Sequence, residues 1–439
     1  MTNYLRSQWR SKRTIFLADF HVHSRYSRAT SKDMGPVAMN RAAKEKGLAL
    51  VGTGDFTHPG YLAELKEQLI EGTPGIYVLK DDPEGTRFIL TSEVSNIFTQ
   101  GGKSRRVHTV IFAPGFEVAE DIQRRFSFLG NIASDGRPIF GFSAKDLVRI
   151  VKDASPDCLV LPAHVWTPWF SVFGAKSGFD SIEECFEEQS CHIHCLETGL
   201  SSDPPMNWRL SALDGYALLS NSDAHSPSRL GRESNVFSCP LTYKDIMLAI
   251  KDPRSGLEGT IEFFPEEGKY HLDGHRTCRV RFSPDESRAA SGICPVCGGP
   301  LTLGVLYRVE SLADRPEGFV PDSARPCVHL IPLEEIIADA FGVKSVTGFV
   351  RKEYRRLIQI GGTEMDILLW KEVEELKSFV PERILKGIMK MRRGDVHITP
   401  GYDGVYGRIS LSLDDDDDDA IDQGGPSINE RRCIQKDLF

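Results

Sequence analysis

Apolar and polar positions follow two alternating patterns over residues 14–265 of the chain. Short apolar segments of strand length recur, and a stretch with helical spacing follows each of them. Strands that alternate with helices predict an α/β fold with a parallel sheet, either open or closed into a barrel. The apolar segments span residues 14–20, 49–54, 88–92, 107–113, 159–163 and 218–222.

The pattern changes twice beyond this region. Residues 270–310 are rich in Gly, Pro and Cys, whereas residues 330–410 contain amphipathic segments at 333–341, 352–357 and 381–391. An aspartate run begins at Asp414, and its composition predicts a solvated, disordered tail. We therefore expect four regions, which cover residues 1–268, 269–325, 326–412 and 413–439.

Composition places the chain among soluble globular proteins, because 40% of its 439 residues are hydrophobic and 26% are charged. The first residues lack an apolar core and no long apolar run follows, so we expect a cytoplasmic protein that does not enter a membrane. The formal net charge is −9, of which the tail from Asp414 onward carries −6 and the rest −3. This balance is compatible with local basic patches that bind phosphate groups.

Histidine and acidic residues lie at the ends of five predicted strands. Two of these strands are followed by pairs with one residue between their members, which places both side chains on one face of extended backbone. Helix capping or core hydrogen bonding would explain a single such residue but not the whole set. Mixed imidazole and carboxylate ligands are typical of Zn²⁺ or Mn²⁺ sites. The candidate ligands are His21, His23, Glu93, His108, His164, Asp223 and His225.

These candidates outnumber the ligands of one ion, so we expect two or three ions with Glu93 as the bridging ligand. Zn²⁺ is the first expectation, and Mn²⁺ or Mg²⁺ is the alternative. Such clusters activate water and stabilise the departing oxygen of a phosphoester. Asp223 and His225 are the candidates for directing the proton of the leaving group. The pattern therefore predicts metal-dependent phosphoester hydrolysis with Glu93, Asp223 and His225 as catalytic residues.

A second group of ligand-like residues lies in the Cys-rich region. Cys294-Pro-Val-Cys297 is typical of a zinc knuckle, and His275 and Cys278 upstream have the same two-residue spacing. Two such pairs predict a zinc ribbon, and four protein ligands would leave no open position for a substrate. Zn²⁺ is therefore expected to be structural here. The candidates for the fourth ligand are His275, His271 and Cys327.

The segment from Cys191 to Cys195 also resembles a metal site, since it contains two cysteines and two histidines. Alternation places both cysteines on one face and both histidines on the other. We interpret it as a buried strand with outward imidazoles. The remaining isolated cysteines, Cys158, Cys185 and Cys239, are expected to be packed core thiols.

The ligand pattern resembles that of the polymerase-and-histidinol-phosphatase (PHP) superfamily. The matching stretches are HVHSRYS, TSEVS, LPAHVW and SNSDAHSPSRLG. This resemblance implies a distorted (β/α)₇ barrel with a trinuclear metal site. The superfamily has Asp-His where this chain has Asp55-Phe56, so the resemblance leaves either Asp55 or His58 as the ligand there.

Longer stretches resemble the endonuclease Q family, over nearly all of residues 10–410. They include GTGDFTHPG, PAHVWTPWFSVFG, ETGLSSDPPMNWRLSALDGY and ITPGYDGVYGRI. The resemblance implies a PHP barrel, a zinc ribbon and a small α+β or helical C-terminal domain that binds DNA. It also implies a monomeric repair enzyme that nicks DNA 5′ of uracil, hypoxanthine, xanthine and abasic sites.

Base inspection would require aromatic and basic side chains near the metal cluster. An enzyme that acts at a single base takes it out of the stack and holds it between apolar or aromatic surfaces. There is a structural alternative for each group: the aromatic side chains pack the mouth of the barrel, and the arginines lie on a solvated surface. The substrate-binding candidates are Trp166, Trp169, Phe170, Arg105 and Arg106.

The last five residues, QKDLF, resemble the peptide by which bacterial proteins bind the replication sliding clamp. Gln435, Leu438 and Phe439 occupy the characteristic positions, at the end of an acidic tether that would allow the enzyme to search nearby DNA. This ending favours a bacterial member of the family. Alternatively, the aspartates only aid solubility or limit non-specific DNA binding.

Two other functions are compatible with parts of the pattern. A small-molecule phosphatase of the histidinol phosphate type would use the same cluster, but it would need no zinc ribbon or third domain. A non-catalytic, clamp-tethered DNA-binding protein would tolerate the loss of metal ligands, yet the expected positions are filled. The chain lacks the Gly-x-x-x-x-Gly-Lys-Ser/Thr loop of ATP-driven motors.

Overall fold

The structure, a computed structural model, describes Trp9 and residues 15–411. The acidic tail and its terminal residues Gln435, Leu438 and Phe439 lie outside the described residues. The proposed clamp contact therefore stays a prediction.

Every predicted apolar segment contains a strand, and the strand that carries Glu93 is much longer than the pattern indicated. The strands are β1 (Phe16–Asp19), β2 (Leu50–Gly52), β3 (Leu69–Thr73), β4 (Ile76–Leu79), β5 (Arg87–Gln100), β6 (Lys103–Ala113), β7 (Ile139–Phe140), β8 (Leu159–Pro162), β9 (Cys195–Glu197), β10 (Ala217–Leu219), β11 (Ser234–Phe237), β12 (Leu257–Glu262), β13 (Asp273–His275), β14 (Val280–Phe282), β15 (Cys327–His329), β16 (His397–Thr399) and β17 (Arg408–Ser410).

The helices include the three amphipathic segments predicted near the C-terminus. They are α1 (Pro36–Lys46), α2 (Pro59–Gln68), α3 (Phe116–Ser127), α4 (Ala144–Ala154), α5 (Ile182–Phe186), α6 (Pro204–Asn207), α7 (Tyr243–Lys251), α8 (Pro284–Ala289), α9 (Val305–Leu312), α10 (Leu333–Ala340), α11 (Gly348–Gly361), α12 (Val373–Lys377) and α13 (Glu382–Arg393), with a π-helical turn at Asp366–Trp370.

Helix α4 shows how local sequence produces these elements. Its N-cap Ser143 accepts a hydrogen bond from the backbone N–H of Asp146, which satisfies one of the free donors of the first turn. Leu147, Val148 and Val151 recur at helical spacing and are buried. The polar residues lie on the opposite face, toward solvent, so the apolar face of the helix covers one side of the sheet.

Seven strands follow one another around a ring that holds the site. β1, β2 and β5 are parallel neighbours, β6 pairs with β5 and β8, and β9 pairs in parallel with β10. A bridge between Val160 and Ile193 joins β8 to the segment before β9. A parallel bridge between Val22 and Ala224 and a 2.9 Å hydrogen bond from Phe20 N to the Asn221 Oδ1 atom bring the ring back to β1.

Within the ring, one strand departs from the predicted parallel arrangement, and outside it β4 and β11 pair antiparallel with β5 and β1. β6 runs antiparallel to both of its neighbours, because a two-residue turn at Gly101-Gly102 joins it directly to β5. Both glycines have positive φ, 59° and 72°, which is the backbone that a tight hairpin turn requires. The resulting long hairpin extends from the ring beside Glu93.

The C-terminal region packs on the ring rather than standing apart. β15 adds a parallel strand beside β12, and one apolar core includes both barrel residues and residues of α10, α11 and α13. The Lys46 ammonium on α1 lies 2.5 Å from the Glu364 carboxylate, and both side chains are buried. The domain boundaries stay a prediction. No helix in the described part of the chain has the length and apolarity needed to span a bilayer.

Candidate metal centre and its surroundings

The ring directs histidine and acidic side chains from five of its strands toward one place. His21 and His23 directly follow β1, Glu93 lies within β5, and His108 on β6 is the register partner of Ser95. His164 and Asp223 follow β8 and β10. The backbone is left-handed at both, with φ of 30° and 48°. Such strain costs about 1 to 3 kcal/mol per residue and is characteristic of functional sites.

The first ligand group consists of His21, His23, Glu93 and Asp223, whose donor atoms all lie within 4.8 Å of one another. The His23 Nε2 atom is 3.2 Å from the Glu93 Oε2 atom and 3.1 Å from the Asp223 Oδ1 atom. The corresponding distances from the His21 Nε2 atom are 3.5 and 3.6 Å. Ligands of one tetrahedral ion lie about 3.4 Å apart when metal–ligand bonds are about 2.1 Å long. The group therefore fits a single divalent ion.

The second ligand group consists of Glu93, His108 and His164. The Glu93 Oε1 atom lies 2.7 Å from the His108 Nδ1 atom and 3.3 Å from the His164 Nε2 atom. Glu93 thus directs one carboxylate oxygen to each group. This arrangement would allow Glu93 to bridge two ions, and the bridging role stays a prediction.

Unpartnered polar atoms provide an independent test of this fit. The His21 Nε2, His23 Nε2, His108 Nδ1, Glu93 Oε1 and Asp223 Oδ1 atoms are buried and make no hydrogen bond within the described residues. Buried polar atoms without partners are rare in folded proteins and need an explanation. Bound cations would give all five atoms a partner. The donor set suits divalent ions such as Zn²⁺ or Mn²⁺.

The charges of the site also favour cations. Burial alone would lower the pKa of His21, but the carboxylates of Glu197, Glu93 and Asp223 raise it well above its usual range. Burial opposes the charged form of Asp223 too, yet His21 and His23 hold the pKa of that carboxyl far below its usual range. The carboxylates therefore stay ionised and attract positive charge, whether protons on the imidazoles or metal ions in their place.

Glu197 supports the first group and was missed by the sequence analysis. It ends β9, and both of its oxygens lie 3.0 Å from the His21 Nδ1 atom. It also accepts hydrogen bonds from the backbone N–H of His164, at 2.7 Å, and from the Asn221 amide, at 2.9 Å. A carboxylate behind a ligating histidine fixes the ring and directs its other nitrogen at the metal. Its position at a strand end in CLETG was the available signal.

Asp55 and His58 lie outside the two ligand groups. The Asp55 carboxylate lies 3.2 Å from the His23 Nδ1 atom and accepts hydrogen bonds from Ser24 and Ser27. Both ring nitrogens of His58 are also engaged, because Nδ1 accepts from the Tyr61 backbone N–H at 3.3 Å and Nε2 lies 3.2 Å from the Ala133 carbonyl oxygen. The geometry makes Asp55 the residue that orients His23.

Two further side chains border the open side of the cluster. The His225 ring centroid lies 4.4 Å from that of His23, but His225 is outside both groups of closely spaced donors. Its Nδ1 atom lies 2.8 Å from the Asp223 carbonyl oxygen. Arg137, which the sequence analysis did not identify, places a guanidinium nitrogen 2.9 Å from the Glu93 Oε2 atom. Each contributes a polar group to the site entrance.

The aromatic candidates separate into two classes. Trp166 is fully buried and donates a 2.8 Å hydrogen bond to the Asn207 side chain, so it packs the core. Phe170 has a left-handed backbone, and its ring centroid lies 4.6 Å from that of His108. Trp169 is partly exposed beside Tyr270, with ring centroids 5.2 Å apart. Phe170 therefore packs against a ligand candidate, Trp169 lies on the surface beside Tyr270, and their substrate-binding roles stay predictions.

The two arginine candidates flank the same loop. Arg105 donates to the Gly178 carbonyl, and its guanidinium lies 4.1 Å from the centroid of the Phe179 ring. The Arg106 guanidinium lies 5.5 Å from the centroid of the Phe170 ring. Both side chains are half-buried, so their first role is to hold the loop that carries Phe170.

The ribbon brings together the four residues that the sequence singled out first. His275, Cys278, Cys294 and Cys297 have their donor atoms within 4.8 Å of one another. Partial desolvation opposes the thiolate, but the backbone N–H groups of Cys297 and Val296 lower the pKa of Cys294 to about 7. The geometry is consistent with a structural zinc site. The two other candidates for the fourth ligand are not part of this group, since Cys327 belongs to β15 and His271 lies outside it.

The Cys191–Cys195 segment forms no ligand group within the described residues. Glu187–His192 is a 3₁₀ helix rather than a strand, so Cys191 is exposed while Cys195, at the start of β9, is buried. Burial raises the pKa of Cys195 well above its usual range. Cys158 and Cys185 are buried thiols, as expected, whereas Cys239 is half-buried.

Several known proteins are similar to the chain. Residues 332–395 match the family described as the MJ0043 C-terminal domain. The uncharacterized protein YqxK of Bacillus subtilis is 29% identical over 411 residues, which cover 89% of this chain and 98% of YqxK. The uncharacterized protein MJ0043 of Methanocaldococcus jannaschii is 34% identical over 256 residues. That match covers 56% of this chain and 31% of MJ0043, so the chain spans about a third of that relative's length.

Two solved structures match over most of the chain. The lesion-specific endonuclease PfuEndoQ of Pyrococcus furiosus is 32% identical with a TM-score of 0.81, and the match covers 91% of this chain and 96% of PfuEndoQ. A complex of endonuclease Q with a 27-mer duplex carrying an abasic lesion at the active site is 33% identical with a TM-score of 0.80, over 91% of this chain and 97% of that one. The sequence stretches, the fold and these matches agree, and the chain belongs to the endonuclease Q family.

Proposed function

We propose that the chain is a metal-dependent endodeoxyribonuclease that hydrolyses the phosphodiester 5′ of deaminated bases and abasic sites. The main observation that supports metal-dependent hydrolysis is that the two oxygens of Glu93 face two separate ligand groups. Membership of the endonuclease Q family supports DNA as the substrate class, since one relative was solved on a duplex with an abasic lesion. The lesion preference and the position of the nick rest on the family resemblance.

The chain's own residues divide the work of the reaction. His21, His23 and Asp223 would hold one ion, His108 and His164 another, and Glu93 would bridge them. Bound divalent ions of this kind supply hydroxide at neutral pH and neutralise charge on the departing oxygen. Arg137 lies at the entrance with its guanidinium against Glu93, where it can also meet a phosphate oxygen.

His225 and Asp223 form the proposed route for the proton of the leaving group. The His225 Nδ1 atom is held 2.8 Å from the Asp223 carbonyl oxygen, and the side chain is partly exposed to the entrance. This arrangement fixes the ring and leaves its Nε2 atom facing away from that contact. Phe170, which packs against His108, and the partly exposed Trp169 would contact the extruded nucleotide.

An incision assay tests this proposal. Labelled duplexes that contain one uracil, hypoxanthine or abasic site are incubated with the protein and Mn²⁺, Mg²⁺ or Zn²⁺, alongside an undamaged duplex. We expect a single nick immediately 5′ of the lesion, with a 3′-hydroxyl and a 5′-phosphate, and no cut in the undamaged duplex. Release of phosphate from small phosphomonoesters without any nick would replace the proposal by a phosphatase activity.

The clamp contact of Gln435, Leu438 and Phe439 belongs to the same proposal, although these residues lie outside the described part of the chain. Removal of the last five residues is expected to leave cleavage of short duplexes unchanged. The same change should abolish retention on immobilised bacterial clamp. Retention of the shortened chain would contradict this contact.

A further inference from the structure

Three exposed apolar residues lie at the two ends of the segment from Phe128 to Ile139, whose Arg137 contacts Glu93 in the metal centre. Phe128 is 81% exposed, Leu129 is 50% exposed and Ile139 is 56% exposed. The two ends approach each other at Gly130, directly after Leu129, where a Cβ atom would lie 3.9 Å from the Ile139 carbonyl oxygen. Exposed apolar residues that cluster in this way mark interaction sites rather than ordinary surface. We call these three residues the rim patch.

One end of the rim patch is fixed to the strand that carries Glu93. Ile139 pairs with Ser95 across β5 and β7, and Ser95 lies two residues, or about 7 Å, beyond Glu93 along the strand. Arg137, two residues before Ile139, contacts the Glu93 carboxylate at 2.9 Å. Ile139 is therefore held close to the cluster that would cut the phosphodiester.

The other end is fixed to the mouth of the ring through α3. The Gln123 side chain donates to the carbonyl oxygens of Phe56 and Thr57, 3.4 Å away in both cases, just beyond the end of β2. Phe128 and Leu129 directly follow α3, so the contacts of Gln123 also fix the helix from which they extend.

A duplex substrate would present a matching apolar surface. When one nucleotide leaves the stack, the faces of the two neighbouring base pairs lose their contact, which costs a few kcal/mol. Proteins that unstack DNA commonly insert Phe, Leu or Ile side chains into the vacated step. Arg28, with a side chain that is 78% exposed, pairs with Asp135 in the loop that leads to Ile139 and adds positive charge beside the patch.

We propose that Phe128, Leu129 and Ile139 form a wedge that fills the gap left in the duplex by the extruded nucleotide. This inference rests on the proposed function, because it needs a lesion-containing duplex as the substrate. The wedge acts on the stacked DNA and touches none of the reacting atoms. Removal of the wedge should therefore slow incision only on a duplex in which extrusion of the nucleotide leaves a gap.

The test compares one uracil in two contexts. In the first duplex the uracil is opposite guanine, and in the second it is an unpaired extra nucleotide whose extrusion leaves no gap. Phe128→Ala combined with Leu129→Ala should lower kcat/KM by about tenfold on the first duplex and by less than about twofold on the second. Leu248→Ala is the matched control, because Leu248 is 51% exposed on α7, which contributes no site residue. Phe128→Leu should restore most of the activity.

Each outcome decides the proposal. Equal rates of the double variant and the wild type on the paired uracil would overturn the wedge, as would an equal loss on both duplexes. A change in sedimentation without a difference between the duplexes would assign the patch to contacts between copies of this chain, which also overturns it. If the wild type cuts neither duplex, the proposed function itself fails, which is a separate result.

Discussion

At the scale of single residues, Glu93 links the two halves of the site. Its two oxygens face different ligand groups. In three of the histidines, the ring nitrogen that points away from the cluster contacts a supporting side chain. Glu197 holds His21, Asp55 holds His23, and the Thr167 hydroxyl lies 3.1 Å from the His164 Nδ1 atom. The inner nitrogens are therefore directed at the cluster before any ion binds. Such preorganised ligands are typical of metal centres.

Glu197→Gln tests that role. The amide keeps the shape of the side chain but removes the charge that supports His21, so metal affinity of the barrel site should fall by about 10- to 100-fold. Competition with a chelator measures the change. Glu262→Gln is the matched control, since Glu262 is equally buried but contacts none of the ligand residues. Equal affinities of wild type and Glu197→Gln would contradict the assignment.

The sequence indicated the candidate ligands, but not the residues that hydrogen-bond to them. His21, His23 and Asp223 could be predicted because ligands of one ion come from short motifs at strand ends. Glu197 lies 176 residues from His21 in the chain, so only the fold reveals their contact. Arg137 approaches Glu93 from a loop without a recognisable pattern. Such contacts depend on how distant segments meet, which one sequence does not encode locally.

At the scale of elements, strand positions could be predicted but their directions could not. Alternation of strands and helices predicted a parallel sheet, yet β5 and β6 form an antiparallel hairpin of eleven register pairs, from Leu90–Ala113 to Gln100–Lys103. The sequence analysis did not use Gly101-Gly102 as a hairpin turn, although adjacent glycines favour one. The hairpin places β6 directly beside β5, and His108 on β6 therefore faces Glu93 on β5.

The ribbon is a separate element with its own prediction. Cys294→Ser removes one of four converging ligands, so the variant should lose one equivalent of zinc and unfold locally. Elemental analysis and hydrogen exchange over residues 270–310 check this result, with unchanged metal content in the barrel as the internal reference. Cys239→Ser is the control, because Cys239 belongs to no ligand group among the described residues. Full zinc content in Cys294→Ser would contradict the ribbon.

Strand β12 makes stability depend on pH. Burial raises the pKa of Glu262 from 4.5 to about 7. The stability that its protonated form contributes is therefore complete below pH 4.5 and is lost as the pH rises through about 7. The difference corresponds to about 3 kcal/mol as an upper bound.

Melting temperatures between pH 5 and pH 8 check this dependence. The wild type should lose more stability over that interval than Glu262→Gln, which keeps a neutral side chain at every pH. Glu188→Gln, at a largely exposed carboxylate, should behave as the wild type. Parallel curves for the wild type and Glu262→Gln would show that Glu262 does not titrate in this range.

At the scale of the whole molecule, a buried ion pair joins the C-terminal region to the barrel. Glu364 receives the Lys46 ammonium and a 2.8 Å hydrogen bond from the Tyr354 hydroxyl, and it also accepts from the Leu333 backbone N–H at 2.9 Å. The sequence predicted a third region but not this contact, because Lys46 and Glu364 are 318 residues apart. The barrel and the helical region therefore stabilise each other.

Lys46→Ala tests the coupling between these regions. It leaves the Glu364 carboxylate buried without its cation, so the free energy of unfolding should fall by about 3 to 5 kcal/mol. Chemical denaturation measures the loss. Lys44→Ala on the same helix is the control, because the Lys44–Asp82 pair is exposed and its removal should change stability little. Similar losses in both variants would contradict the coupling.

Metal content measured together with incision tests the proposal that Glu93 joins two metal subsites of a DNA-cleaving site. The wild type should carry at least one ion for each of the three ligand groups and nick a uracil duplex. Glu93→Gln should keep the ribbon zinc, lose the barrel ions and lose incision. If Glu93→Gln kept its barrel ions and its incision activity, or if the metal-free wild type still nicked the duplex, the account would be contradicted.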